Sequence, residues 1–297
     1  MPEDLVSFWV NQLKDRGLPD GGFSPHPRGR YRVDATCWAI LALAGDAANR
    51  TLLTRSRSRL AADQLPDGRV CISPDHPAVV WPTSLAVFAW HQSPEHRENQ
   101  ARAADFLITS SGTHWPREAN SPSAHDTSIK GWAWIADTHS WAEPTALALM
   151  ALKIAGYGDH QRVKEATRLL LDRQLPQGGW NYGNTLVFDQ ELRPMPVSTG
   201  MVLNALKDQT SLPFIQPSLT YLQSRVVNLP TPLSLGWSLL GLGAWRARLQ
   251  PPQSSIAACL KNRARYGGYD TASLSLLLVA LKSPGGLGEI FLDPGKS

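Results

Sequence analysis

Two hydrophobic patterns alternate along this chain. In the first, apolar residues recur every three or four positions. Over 159–174, Val163, Ala166, Leu169 and Leu170 share one helical face, opposite Lys164, Glu165, Arg168 and Asp172. In the second, nearly every position is apolar, as in Asp34–Gly45 (DATCWAILALAG), Pro82–Trp90 and Pro144–Gly156. The first pattern predicts helices near 3–15, 50–63, 94–109, 159–174, 213–226 and 252–263. The second predicts helices near 34–45, 81–91, 143–155, 197–207, 232–246 and 270–282. A helix that is apolar all round must be covered all round. Six of each kind in strict alternation therefore predict an all-α fold, an (α/α)6 toroid whose six inner helices sit inside a ring of six outer ones. Boundary residues agree. Ser93-Pro94-Glu95 reads as a helix start, and Gly45, Gly156 and Gly158 stand where helices should stop.

A motif punctuates the alternation. Val163–Asn184 (VKEATRLLLDRQLPQGGWNYGN) joins an amphipathic helix, a glutamine (Gln174), a Pro-x-Gly-Gly turn and an aromatic (Trp180). Leu13–Phe23, Leu60–Val70 and Arg263–Tyr269 repeat the ending. Repeats at intervals of tens of residues mean an array of similar units, so residues 1–297 are expected to form a single domain. Its one departure from the repeat is a Trp-rich insert at about 110–141.

Alternation carries a functional consequence. All inner helices run the same way, so their N-termini, with unpaired N–H groups and positive dipole ends, gather at one rim. Any site is expected there, at the mouth of a central cavity. Aligning the inner helices on Thr-x5-Ala (Thr36, Thr83, Thr145, Thr199) places Asp34, Trp81, Glu143 and Val197 two residues before each threonine, with Asp270 at a nearby position. Carboxylates facing an apolar cavity hold their protons more tightly and can act as acids. Asp34 and Glu143 are the first candidates, followed by Asp137, His139 and Asp270. The plainer account is that acidic residues favour helix starts. Of the 11 tryptophans, the insert carries Trp115, Trp132, Trp134 and Trp141. With Trp81, the last three are candidates to line a pocket or stabilise a cation; a rim packed on the barrel explains them as simply. Arg28, Arg30 and Arg32, on the loop into the first inner helix, are candidates to receive a diphosphate, and a solvated basic loop explains them as simply.

The Gln174–Trp180 segment resembles the QW repeat of squalene-hopene and oxidosqualene cyclases, and Gly21–Leu43 is similar to the repeat of protein prenyltransferase β subunits. The likeness covers essentially the whole chain. It implies that the glutamine caps an outer helix and stacks on the tryptophan, a structural role. It also implies a hydrophobic isoprenoid substrate in an apolar barrel, cyclised or isomerised after protonation. The acidic DxDD and magnesium-binding DDxxD motifs of terpene cyclases and synthases are absent, as is the zinc set of the prenyltransferases. No cofactor is therefore expected: magnesium lacks its motif, and zinc drawn from Asp34, Cys37, His125, Asp137 or His139 lacks a diagnostic spacing. Three alternatives remain: a non-catalytic toroid binding a lipid, peptide or protein, a prenyltransferase-like enzyme, and an (α/α)6 hydrolase using paired carboxylates on sugars.

Composition narrows the class. A net charge of +4 without a long basic block points away from nucleic acid. Three cysteines without CxxC pairing fit a reducing, cytoplasmic setting. The first residues do not read as a signal peptide, and no apolar run reaches transmembrane length, so membrane contact would be peripheral.

Overall fold

The computed structural model describes residues 3–118, 124–262, 265 and 267–292. The chain is mostly helical, in keeping with the all-α expectation. Among the described residues there are twelve α-helices: α1 Glu3–Lys14, α2 Val33–Leu43, α3 Arg50–Ala62, α4 Pro82–Trp90, α5 Arg97–Thr109, α6 Ala142–Ile154, α7 Gln161–Asp172, α8 Pro196–Ala205, α9 Leu212–Val226, α10 Pro232–Ala244, α11 Gln253–Lys261 and α12 Thr271–Lys282. Each lies where one of the two hydrophobic patterns placed it. The helix expected from 94 opens instead as a 3-10 turn, Pro94–His96, before α5. Residues 119–123 of the insert, and Arg263, Ala264 and Tyr266 of the last repeat ending, lie outside the described residues.

The apolar helices pack side by side in cyclic order. α2 touches α4, α4 touches α6, and so on through α8, α10 and α12, which returns to α2. Every residue of α2 and α4 is buried, as the all-round apolar pattern requires. The amphipathic helices lie against them: α3 spans α2 and α4, α5 spans α4 and α6, α9 spans α8 and α10, and α7 packs on α6. The four apolar residues of α7 named above are all buried.

One hydrogen bond recurs between the turns and the inner helices. The backbone N–H of the residue after the glycine turn donates to a threonine Oγ1 at the start of the next inner helix: Phe23 to Thr36 (2.9 Å), Val70 to Thr83 (2.9 Å), Trp132 to Thr145 (3.0 Å) and Trp180 to Thr199 (2.9 Å). The first three pairs are 13 residues apart and the fourth 19. The six extra residues match a small hairpin, β1 Leu186–Val187 with β2 Gln190–Glu191. The sequence reading did not foresee it. Its turn residues Phe188 and Asp189 both have positive φ (48° and 60°), where Asn-Gly is the usual signal.

The glycine turns touch the next outer helix. Gly21, Gly68 and Gly178 have φ near +90°, and an added Cβ would lie 2.5 Å or less from the backbone of Arg55, Arg102 and Pro217 respectively. Neither the backbone angle nor the space admits a side chain. The glutamines fasten the same joints. The Gln174 amide donates to the Phe214 carbonyl (3.0 Å) and Ser218 Oγ (2.7 Å), and the Gln64 amide to the Asn99 carbonyl (2.9 Å). The last repeat meets the first through Arg16, whose Nη1 donates to Thr271 Oγ1 (3.2 Å) and Nη2 to the Tyr269 carbonyl (3.1 Å).

At the far end of the inner helices, a 3-10 turn (Leu287–Phe291) packs on α10 and α6. The Leu287 N–H donates to Asn204 Oδ1 (3.0 Å), and the Phe291 ring lies 5.6 Å from that of Phe88. No helix among the described residues is long and apolar enough to cross a membrane.

Candidate functional site

A cavity of about 420 Å³ opens at the N-terminal end of the inner helices. Its walls follow from helix geometry, in which residues four apart lie on the same face. The second residue of α2, α6, α8, α10 and α12 (Asp34, Glu143, Val197, Leu233, Ala272), with Trp81 just before α4, forms an upper tier. One turn deeper, Trp38, Leu85, Leu147, Met201, Trp237 and Leu276 form a lower tier. Trp38 and Trp237 meet edge to face at 5.5 Å across this level, and Trp81 meets Trp134 in the same manner at 5.5 Å above. Tyr182 and Met195, from the turn before α8, complete one side. The cavity is thus apolar and aromatic, with its ionisable side chains, Asp34, Glu143 and Asp270, set in a ring near the mouth.

These carboxylates differ in their partners. Arg32 holds Asp34 through two hydrogen bonds of 2.6 and 2.7 Å, and its Nη2 lies 3.9 Å from Asp270. Asp270 also caps α12, accepting the Ser273 N–H at 2.8 Å. Glu143 has no cationic partner among the described residues; its one side-chain hydrogen bond comes from Ser198 Oγ on the adjacent α8, donated to Oε1 at 2.8 Å. Burial holds the Glu143 carboxyl above the ordinary glutamate range, and the Ser198 hydroxyl offsets this only in part. A protonated carboxyl beside an apolar, aromatic cavity can give its proton to an olefin and leave the resulting cation facing indole rings.

The other residues singled out in the sequence fall elsewhere. Trp134 lines the cavity, but Trp132 does not. Trp132 is the turn aromatic of its repeat: it is buried, its indole N–H donates to the Leu107 carbonyl (3.0 Å), and Arg162 stacks over it at 4.0 Å. Trp180 does the same one repeat later, donating to the Leu170 carbonyl (2.6 Å). The departure from the repeat is therefore concentrated before Gly131. Trp141 stands behind the wall, stacked on His139 (4.2 Å) and edge-on to Tyr182 (6.2 Å). Asp137 and His139 are exposed and off the cavity, Asp137 in a left-handed turn (φ 62°). Arg28 and Arg30 are exposed and line no part of it.

The insert is anchored from behind by Arg173, which is buried and donates to the Gly183 carbonyl (2.9 Å) and the Asp126 carbonyl (3.1 Å). Burial, reinforced by Arg173, pulls the imidazole pKa of the neighbouring His125 down to about 4. Among the described residues no three His, Cys, Asp or Glu side chains are grouped to hold a metal ion. Cys37 is wholly buried, and burial raises its thiol pKa far above the usual range.

A larger space, about 580 Å³, lies at the opposite end beside the 287–291 turn. None of the residues predicted for the site borders it. Both lysines bordering it have structural partners: Lys153 donates to the Lys207 carbonyl, and Lys207 pairs with Asp208 at 3.0 Å.

Residues missed in the sequence are informative. Trp38 and Trp237 were findable by stepping four residues down from the rim positions. Arg32, grouped in the sequence with Arg28 and Arg30 as a diphosphate candidate, is instead the partner of Asp34. Ser198 carried no signal, because its role arises only from the contact between α6 and α8.

No family model and no curated protein sequence matches the chain. Solved structures do. A protein from Actinoplanes is 13% identical with a TM-score of 0.61, covering 95% of this chain and 98% of its own. The type II terpene cyclase MstE from Scytonema, in complex with geranylgeranyl dihydroxybenzoate, is 12% identical with a TM-score of 0.61, covering 95% and 97%. An inactive variant of the alpha-1,6-mannanase GH76A of Salegentibacter sp. HEL1_6, bound to alpha-1,6-mannotriose, is 12% identical with a TM-score of 0.58, covering 95% and 98%. At such identities these likenesses establish a terpene cyclase-like fold and leave the chemistry to the site, since one fold hosts unrelated activities.

Proposed function

We propose that this protein is an isoprenoid-handling enzyme, a terpene cyclase or isomerase that starts its reaction by proton transfer from Glu143. One observation carries the reading: a buried carboxyl with no cationic partner among the described residues, its pKa raised by burial, faces a cavity walled by tryptophan and aliphatic side chains. In the initiating step the π electrons of an olefin form a new C–H bond with the Glu143 proton, leaving a carboxylate and a tertiary carbocation. A second olefin of the same chain then attacks the cation, closing a ring. Loss of a proton from the final cation to water regenerates an alkene, and the Glu143 carboxylate takes a proton back from solvent, which balances the cycle. Trp38, Trp81, Trp134 and Trp237 stabilise the positive charge, each face-on contact contributing on the order of 1 kcal/mol.

The same reading takes residues 1–297 as one (α/α)6 toroid of the terpenoid cyclase and prenyltransferase superfamily, with QW-like turns as its joints. The cyclic packing of the inner helices and the glutamine bridges between outer helices support it. Three buried, unpaired cysteines are in keeping with a cytoplasmic protein. The mannanase likeness, with three carboxylates on one rim, favours a glycosidase as the second reading. The apolar lining weighs against that, because sugar hydroxyls need polar partners.

The test is to incubate the protein with C15 and C20 isoprenoids and with an α-mannoside, followed by mass spectrometry. New cyclic or isomerised hydrocarbon skeletons, lost in Glu143→Gln, support the reading. Co-purified lipid that is never converted makes the protein a carrier, and cleavage of the mannoside makes it a glycosidase. Either result overturns the proposal.

A further inference from the structure

We infer that the isoprenoid accepted by this cavity carries an uncharged, hydrogen-bond-donating head, an alcohol or phenol, and not a diphosphate. The inference rests on the isoprenoid reading and narrows it.

The charge at the mouth carries the argument. The acidic groups lining the cavity are three carboxyls, Asp34, Glu143 and Asp270, and no lysine or arginine is among the lining residues described. The cation in contact with this ring is Arg32, and it is already engaged by Asp34 at 2.6 Å and approached by Asp270 at 3.9 Å. One guanidinium against Asp34 and Asp270 leaves an excess of negative charge whatever the charge on Glu143. An anionic head brought here meets like charge in a partly desolvated site, a device that rejects a ligand as effectively as a steric clash.

Helix N-termini ordinarily counter this by offering free N–H groups to phosphate. Here they are partly blunted. α4, α8 and α10 open with Pro82, Pro196 and Pro232, each of which takes away one of the free N–H groups of its helix start. α2, α6 and α12 already have Asp34, Glu143 and Asp270 at their starts. Arg32 also occupies the space between Asp34 and Asp270 that a bridging divalent cation would need. Arg28 and Arg30 are exposed and away from the cavity. A hydroxyl, by contrast, finds an acceptor: among the described residues Asp270 Oδ2 has only the 3.9 Å approach of Arg32, while Oδ1 is held by Ser273.

Tryptophan fluorescence titration with farnesol and with farnesyl diphosphate, each with and without magnesium, tests this. Farnesol is expected to bind at least about tenfold more tightly than the diphosphate under both conditions, a margin on the scale of a single like-charge contact. Asp270→Asn, which keeps a side chain able to cap α12, is expected to narrow the ratio severalfold by improving diphosphate binding. Diphosphate binding as tight as or tighter than farnesol, with or without magnesium, overturns the inference and leaves the isoprenoid reading standing. An unchanged ratio in Asp270→Asn, with native helicity by circular dichroism, also overturns it. Failure of both ligands to bind removes the isoprenoid reading and this inference together.

Discussion

Asp34 and Glu143 occupy the same position on two inner helices, the second residue of α2 and of α6, and both are buried. Their surroundings set them apart. Asp34 is gripped by Arg32 at both oxygens, whereas Glu143 accepts a single hydroxyl hydrogen bond. Repeat symmetry fixes where a side chain points, and the adjoining segment fixes what that side chain can do. An ion-paired carboxylate supplies charge and shape, while a carboxyl without a cation supplies a proton.

The largest expected effect tests that division. In product-formation assays Glu143→Gln should lower kcat by about 10³-fold, the scale of a lost general acid. Asp34→Asn should cost less than about tenfold. If Asp34→Asn is the more damaging change, the assignment of roles is reversed. Next in size, Trp237→Leu should reduce kcat by roughly tenfold with little change in KM. It removes one aromatic face, worth on the order of 1 kcal/mol, from the cation and leaves an apolar wall for the substrate. An equal rise in KM would show that the ring only binds.

Stability supplies the third measurement. Because the folded-state pKa of Glu143 lies above the unfolded value, the folded state binds more protons between the two, and stability falls as pH rises through that window. Glu143→Gln should therefore raise stability by about 1 kcal/mol at pH 8 and change it little at pH 4, as read by urea denaturation. A loss at pH 8 would show the carboxylate to be paired in solution. The smallest effect is a displacement of the pH–rate profile. Activity needs the protonated acid, so it should decline as pH rises through the Glu143 pKa. Ser198→Ala removes a donor that favours the carboxylate, and should move that decline to higher pH. A move toward lower pH contradicts the geometry.

Much of the scaffold was legible because its determinants are local. Helix phase, glycine turns and the Thr-x5-Ala alignment depend on residues close in sequence, and they put Asp34, Trp81, Glu143, Val197 and Asp270 on the wall where they are found, while Trp134 was reached only through the tryptophan content of the insert. What escaped depends on contacts between repeats. Ser198 meets Glu143 55 positions away, and nothing in its own segment marks it. Trp132 was grouped with the insert because of its neighbours, although the 13-residue spacing to Thr145 shows it to be a turn aromatic like Phe23. Arg32 differs from Arg28 and Arg30 only in lying two residues before Asp34, where its side chain folds back on the carboxylate.

The recurrent threonine bond has a consequence for how such a protein can change. Each hydroxyl is committed to the turn behind its helix, two positions after a side chain that looks into the lumen. Maintenance and chemistry thus occupy separate addresses on one short stretch of backbone. On the four helices that carry this bond, the contents of the cavity can be rewritten one letter at a time while the fastening to the turn stays in place.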